Sequence, residues 1–559
     1  MKKTILLAYT LLMCGQQLIG QSIPLGTPII QDYLRRQQLL GNLDSSFSFN
    51  YRPLVSGKNG LTIDSLVFDS NQYFQTISSF SNGKGKVKSL PLEFRIAYDT
   101  DHPDSRNDGA MIRSRGLQTY LSPGLYTEWG PLTIQLKPEF IFAENNDYQG
   151  FPEKPRHWES TWQSRYVFFN SIDEPERYGD GNYTKATLGQ SSIRLNKWGL
   201  SLGLSTENIW WGPAIRNSLM MSNNAQGFPH ITLNTQRPIK TAIGSFEGQI
   251  LTGKLTASGY NPPATDQIFR GHVQFVPKPD DWRYFQALSF SYSPKWIKGL
   301  SLGFTRWVQQ YNQTAKQSND YFPAFSNLFR NNDNNITISE GDRDQAAGLF
   351  GRWVWFDSKA ELYFEFGKND ASLNLRDLLV DSDHSRALTI GFNKLFLIAN
   401  KDEFYQFNFE LTQMSQTESR FFRNASAWYI HSRVRDGYTN NGEVLGSALG
   451  PGGNAQYLEV AWIKGFKRIG GAIERYVHNN DFATATFSDD FTRYWVDYSL
   501  HGFVEWKFDK LLLRGSLFYT KSLNYQWEVI YDPNAVPFQY YPGKDRDNFN
   551  LDINLAYTF

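Results

Sequence analysis

What most constrains this chain is a period of two. In segment after segment apolar and polar residues alternate, and only an extended strand sends alternate side chains to opposite faces. The clearest case is a hairpin from Gly116 to Glu144 that turns at Gly130-Pro131. In its second strand Leu132, Ile134, Leu136, Phe140 and Phe142 share one face, and Thr133, Gln135, Lys137 and Glu139 share the other. The pattern returns where Tyr405, Phe407, Phe409 and Leu411 oppose Gln406, Asn408, Glu410 and Thr412. It returns again where Leu362, Phe364 and Phe366 oppose Glu361, Tyr363 and Glu365. One such strand would suit a half-buried soluble sheet equally well. Many of them behind an export signal predict an all-β fold: a single transmembrane antiparallel β-barrel, lipid outside and a polar lumen inside.

Composition agrees. Aromatic residues make up 16% of the 559 residues and charged residues 20%, with a mean hydropathy of −0.48. Beyond the N-terminus there is no run of about 18 apolar residues of the kind a membrane helix requires. The formal net charge is +1 with no long run of either sign, which leaves no electrostatic footprint for nucleic acid.

Residues 1–20 read as a signal peptide. Lys2 and Lys3 form its basic end, Thr4 to Met13 its apolar core, and Leu18-Ile19-Gly20 a cleavage site before Gln21. The only cysteine, Cys14, lies inside this segment, behind a Met13 too large for a good lipobox. The mature chain then has no cysteine, so strand pairing and burial must hold it. Residues 21–46 read as a short periplasmic helical segment and 47–559 as the barrel. In the helix Thr27 caps, Pro28 takes the first position, Gly41 ends it, and Ile30, Tyr33, Leu34 and Leu40 form an apolar stripe. An element this short must pack on the barrel.

Polar stretches run from Asn145 to Asn182, Asn312 to Gln345, Gly437 to Asn454 and Asp532 to Asn548. Barrels of this kind pair short periplasmic turns with long outward loops, so these stretches belong at the cell surface or folded into the lumen as plugs. At roughly 25 residues per strand with its connection, the mature chain holds on the order of 18 strands. Ile553, Leu555, Tyr557 and Phe559 alternate to the last residue, which resembles the ending of bacterial outer-membrane barrels. That resemblance makes the barrel-insertion machinery and outer-membrane lipid expected partners.

A denser motif lies mid-chain. Trp210-Trp211-Gly212-Pro213-Ala214-Ile215-Arg216-Asn217-Ser218-Leu219 is followed by Met220-Met221-Ser222-Asn223-Asn224-Ala225 and Phe228-Pro229. Around it stand Asn107-Asp108-Gly109-Ala110 with Gly116-Leu117-Gln118-Thr119, Asp344-Gln345 with Arg352-Trp353, and Glu361 through Asp370. His384-Ser385-Arg386, Tyr429-Ile430-His431, Gly437-Tyr438-Thr439-Asn440 and Gly450-Pro451-Gly452 complete the series. In this order, across nearly the whole mature chain, the set resembles the capsule-assembly Wzi family. The resemblance implies a monomeric barrel of about 18 strands, a small periplasmic helical element and a largely plugged lumen. It also implies binding of capsular or extracellular polysaccharide at the cell surface. Better-known members carry a larger N-terminal helical bundle where this chain shows one helix.

The residue chemistry suits a glycan. Sugars present C–H faces to flat aromatic rings and hydroxyls to Asn, Asp, Gln and Arg, and an acidic polymer adds demand for guanidinium forks. Trp210, Trp211, Arg216, Asn217, Asn223 and Asn224 offer that mixture in one segment, with Tyr438 and Asn440 as further candidates. The same tryptophans also fit the interfacial girdle of any barrel, and Gly-Pro and Asn-Asn also make turns. Arg352, Glu361, Asp370 and Arg386 are expected in a charge network inside the lumen, with His384 and His431 as hydrogen-bonding histidines. No histidine pair has metal spacing. Gly248 to Lys254 mimics a phosphate loop, but Leu255 replaces the hydroxyl residue that would hold magnesium. No G-x-S-x-G elbow occurs. The expected function is thus a surface lectin without enzymatic activity or cofactor. The alternatives are an outer-membrane diffusion channel and an accessory barrel of a secretion complex.

Overall fold

The computed structural model describes residues 21–25, 28–56, 74–104, 106–152, 158–262, 265–266, 268–318, 322–325, 342–369, 375–398, 402–418, 425–487, 490, 492–531, 534 and 541–559. The expected signal peptide, Thr27 and Asp370 lie outside the described residues.

The alternating segments form the staves of a closed antiparallel barrel of 18 strands. In chain order they are β1 Gly85–Asp99, β2 Gly116–Trp129, β3 Leu132–Leu136 with Glu139–Ala143, and β4 Tyr183–Thr187 with Ser192–Lys197. Then come β5 Leu200–Ser205, β6 His230–Thr235 with Ile239–Lys240, β7 Gly244–Leu255, β8 Arg283–Pro294 and β9 Leu300–Tyr311. β10 Asp344–Trp355, β11 Ala360–Lys368, β12 Arg386–Leu397, β13 Phe404–Gln413 and β14 Asn454–Lys464 follow. β15 Lys467–Val477, β16 Val496–Phe508, β17 Leu511–Leu523 and β18 Arg546–Tyr557 complete the wall. Each pairs with its sequence neighbour, and β18 returns to β1 from Asn550↔Asp99 to Tyr557↔Leu92. A closed wall leaves no row of unpaired backbone groups for lipid to meet.

Register sets the two faces. Ile134, Leu136 and Phe140 point out, and Thr133, Gln135, Lys137 and Glu139 are buried inside, as the period of two predicts. The outward positions make an apolar band, including Leu349, Leu362, Phe364, Val460, Ile473, Leu500 and Leu517. Such a surface suits hydrocarbon and nothing wetter, so this is a transmembrane barrel of the outer-membrane type.

The two rims differ. One carries tight turns at 130–131, 198–199, 465–466 and 509–510; Gly465 takes φ +58 at its turn, a conformation glycine adopts freely. The other carries the long loops 100–115, 144–182, 206–229, 256–282, 312–343, 414–453 and 478–495. Short turns mark the periplasmic rim and long loops the cell surface. Exposed Trp129, Trp198, Trp296, Trp353 and Phe508 ring the turn end as an aromatic girdle.

Two plugs fill the interior. At the turn end, helix α1 (Pro28–Leu39) lies inside the wall. Its Ile29, Ile30 and Leu34 pack with Leu90, Tyr126, Leu512 and Ala556, and Leu39 packs with Val354, Leu395, Phe404 and Ile463. Strand residues Gln21–Ile23 pair with Leu54–Ser56 beside it. The plug therefore extends past residue 46, the boundary the sequence suggested, and the first stave begins at Gly85. At the loop end, surface loops fold inward around Trp162, Trp211, Leu219, Met220, Trp307, Trp428, Tyr429 and Phe482, all buried in one cluster.

Candidate functional site

The 206–229 loop is the hub of the interior. Trp210–Trp211 pairs antiparallel with Tyr51–Arg52, so this piece of loop is tied to the helical plug by a short ladder inside the lumen. The Trp211 indole N–H donates to Gln249 Oε1 at 2.8 Å, and the Arg52 guanidinium lies 4.7 Å from the Trp210 ring centre. Just beyond, the chain turns at Gly212 with φ +98. A Cβ there would stand 2.2 Å from Glu365 Oε1, so only glycine fits.

Two wall carboxylates then gather the loop's free N–H groups. Glu365 of β11 accepts from Ala214 N at 3.0 Å and Leu219 N at 2.8 Å. Glu410 of β13 accepts from Ile215 N and Asn217 N at 2.8 Å, from Arg216 N at 3.1 Å, and from the Tyr363 hydroxyl at 2.8 Å. A loop buried in a barrel must satisfy its backbone somewhere, and inward carboxylates do it with charge-assisted bonds.

Between this hub and α1 lies a chamber of about 290 Å³, bordered by Arg52, Trp210, Arg216, Asn223, Tyr457 and Arg468 among others. Charges around it are balanced locally. Arg216 lies 3.9 Å above the Tyr457 ring and 3.4 Å from Glu474, which Arg106 meets at 3.0 Å. Burial works against the Arg216 charge, but Glu474 and Tyr457 beside it leave the guanidinium more firmly protonated than usual. Arg95 Nε donates to Asp552 at 2.6 Å, and its terminal nitrogen meets Asp108. Among the described residues, Trp210 Nε1, Arg216 Nε, Asn107 Oδ1 and Asn408 Oδ1 are buried without protein hydrogen bonds, as befits the wall of a hydrated space.

At the turn-side floor, Glu361 joins helix to wall. Arg35 Nε reaches its Oε1 at 2.8 Å, Arg352 Nε its Oε2 at 2.6 Å, and Asn393 donates at 3.0 Å. Arg352 also donates to Gln38 Oε1 at 2.6 Å and to the Ser48 carbonyl at 3.0 Å.

These contacts place each residue singled out in the sequence. Trp210, Trp211, Asn217, Asn224, Tyr438 and Asn440 are all at or below 4% exposed. Trp211 and Tyr438 are enclosed within the plug and Trp210 borders the chamber; none sits in the girdle, which Trp129, Trp198, Trp296 and Trp353 form instead. Tyr438 stacks on Trp307 at 3.9 Å and donates to the Met220 carbonyl at 2.6 Å. Asn224 and Asn440 tie the hub to its neighbours through the carbonyls of Val444 and Gln226, each at 3.0 Å. Of the eight glycan candidates, only Arg216 and Asn223 keep partial exposure, both on the chamber. Arg352 and Glu361 meet inside the lumen. Arg386 is corrected to the outer wall, where it shares a face with Leu388 and Ile390. His384 and His431 stand in the outer loops; His431 Nδ1 accepts from Val434 N at 2.9 Å and so braces a turn. Sequence reasoning missed Glu365, Glu410, Arg95, Arg106 and Glu474. The first two lie on strand faces already read as polar, so their inward aim was available.

A family model for the capsule assembly protein Wzi matches residues 101–513. The chain belongs to the Wzi capsule-assembly family. Among solved structures it resembles Escherichia coli Wzi, described as a carbohydrate-binding β-barrel outer-membrane protein involved in group 1 capsule assembly. That likeness has a TM-score of 0.56 at 13% identity and covers 97% of this chain and 99% of the other. Weaker likeness extends to OccAB1 of Acinetobacter baumannii, with TM-score 0.41, 8% identity, and 88% and 99% of the two chains covered. OprD of Pseudomonas aeruginosa follows at TM-score 0.38, 7% identity and 87% and 96% coverage. No curated protein sequence matches the chain. The 210–229 segment, inside the matched range, is part of the filling at the loop end of the lumen.

Proposed function

We propose that this Wzi-family barrel is a surface lectin, which holds exported capsular or extracellular polysaccharide on its long-loop face and helps attach it to the cell. The family match over most of the chain carries the reading, and E. coli Wzi is itself described as carbohydrate-binding. The plugged interior supports it, because a polymer cannot thread a lumen packed at both levels. The glycan must then be met from outside, by a barrel that binds rather than cleaves and acts as a monomer.

We assign the contact to a patch where three long loops meet. Tyr260 and Tyr183 are half-buried there and stand 5.5 and 5.8 Å from the buried Tyr178 ring, which holds both in place. Arg177, paired with Asp147 and donating to the Asn145 carbonyl, and Asn441, whose backbone carbonyl accepts from the Tyr178 hydroxyl, lie on the same loops beside these aromatic faces. Tyr178 itself is held from both sides, its carbonyl by Asn145 at 3.0 Å and its hydroxyl by donation to Glu443 at 3.2 Å. Rigid rings with planar polar neighbours are what a carbohydrate surface requires.

Purified, detergent-solubilised barrel is expected to bind polysaccharide from the producing strain saturably and an unrelated glycan far less. Tyr260→Ala should weaken that binding without altering folding. Unchanged binding by the variant would reject the patch, and no binding by the wild type would reject the lectin. In a planar bilayer the wild type is expected to be electrically silent; steady conductance would favour the diffusion-channel reading.

A further inference from the structure

We infer that the outer wall of β12–β15 carries a docking site for a phosphorylated glycolipid of the outer leaflet, separate from the polysaccharide face. The starting observation is two cations on the lipid side of the barrel. Arg475 lies two residues along β15 from outward Ile473, and Arg386 two residues along β12 from Leu388 on the face of Ile390. Neither makes an ion pair among the described residues. Arg475 donates to Gln456 Oε1 at 3.0 Å, and Arg386 to Gln413 Oε1 at 3.4 Å.

Arg35, Arg216, Arg352 and Arg468 inside the lumen meet carboxylates, whereas these two at the lipid boundary have only neutral amide partners, which leaves their charge for an anion. An amide oxygen orients a guanidinium while leaving its charge free for a second, anionic partner. A phosphate is the ligand that fits best, because it takes a bidentate fork and stays charged at the membrane surface.

Arg475 also borders a built concavity. A cavity of about 480 Å³ opens on this wall, lined by Gln413, Asn454, Gln456, Arg475, Asn480 and Tyr494. Amides and a tyrosine suit a sugar headgroup next to its phosphate. Directly toward the turn end the wall becomes apolar through Leu411, Ile473 and Leu500, where acyl chains would lie. The order along the wall, apolar then amide and cation, is the order of acyl chain then phosphorylated sugar in an outer-leaflet glycolipid. β12 and β15 are separated by β13 and β14, and the β12 residue level with Arg475 is Ile390, four positions from Arg386, so the two arginines stand roughly 20 Å apart at ordinary strand spacing and rise.

The test uses the full barrel in non-ionic detergent and fluorescently labelled rough-type lipopolysaccharide as probe. The same lipid stripped of phosphate serves as control. Wild type is expected to bind the phosphorylated lipid saturably and the stripped lipid weakly. Arg386→Gln with Arg475→Gln should weaken binding by about tenfold per arginine. Arg386→Lys with Arg475→Lys should retain most of it, and polysaccharide binding should be unchanged in both variants. Equal binding of stripped and phosphorylated lipid by the wild type would overturn the inference without need of any variant. So would wild-type affinity in the folded Gln double variant.

Discussion

Changing Glu361 to Gln should release α1 from the lumen. Glu361 is fully buried and answers two buried arginines at once, Arg35 from the helix and Arg352 from the wall. The Gln variant keeps the shape and loses the charge, so both guanidinium groups stay buried without their counter-charge. Breaking a buried ion pair from one side costs about 3–5 kcal/mol, because the partner keeps its desolvation penalty without its counter-charge. The helix can relieve that cost by leaving, since departure takes Arg35 into water. At about 1.4 kcal/mol per tenfold, the undocked population should rise by roughly two to four powers of ten. Trypsin reports it, because Arg35 and Arg36 are both buried in the docked helix. When opening is fast, cleavage follows the open population. The variant should be cut between these residues far faster than wild type, while heat-dependent gel mobility shows the barrel itself intact. Replacing Glu361, Arg35 and Arg352 together by Leu and two Met should restore protection, as no orphaned charge remains. Wild-type cleavage in a folded Glu361→Gln barrel would refute the claim that this carboxylate holds the plug.

Two further expectations bear on the hub and the loop face. Gly212→Ala places a Cβ 2.2 Å from Glu365 Oε1 at φ +98, so the backbone cost of about 1–3 kcal/mol is joined by a displaced carboxylate. Thermal unfolding should move down, and an unchanged midpoint would mean the loop is not held as described. Burial pushes the Glu443 carboxyl up to about 7 despite Arg113 at 3.3 Å; Tyr178 and Glu174 also face it. A folded-state value above the unfolded one means stability is lost as pH rises from the ordinary carboxylate range through about 7. Amides at 439–444 should therefore exchange faster at about pH 8 than the chemical rate alone predicts from about pH 6, and Glu443→Gln should abolish that excess. An excess that survives the substitution would place its cause elsewhere.

How much of this was legible in the sequence depends on how local the deciding contact is. The staves were legible, because alternation is a property of neighbours: Leu362, Phe364 and Phe366 announce their face without reference to any other strand. Arg386 could have been placed by the same counting, since it keeps step with Leu388 and Ile390, yet its charge suggested the lumen. The family motif was readable as a motif, but not its position. Trp210 and Trp211 look alike at a girdle, in a turn or in a plug. What decides is their pairing with Tyr51 and Arg52, a long-range partnership that no local pattern carries. The Tyr178, Tyr183 and Tyr260 patch was hidden for the same reason, being assembled from a loop, a strand end and another loop.

The seam between β18 and β1 has a consequence for how such an object can be made. Arg95 and Asp552 join across it although they stand 457 positions apart, and α1 touches Leu90 and Tyr126 near the first staves as well as Leu512 and Ala556 near the last. A helix that touches the first staves and the last finds its full set of partners only once the final edge is stitched, so filling and closure are coupled. Contacts so distant along the chain form slowly. A substitution that loosens the filling should therefore register first as a delay in closing the cylinder, before it registers as a leak in the finished one.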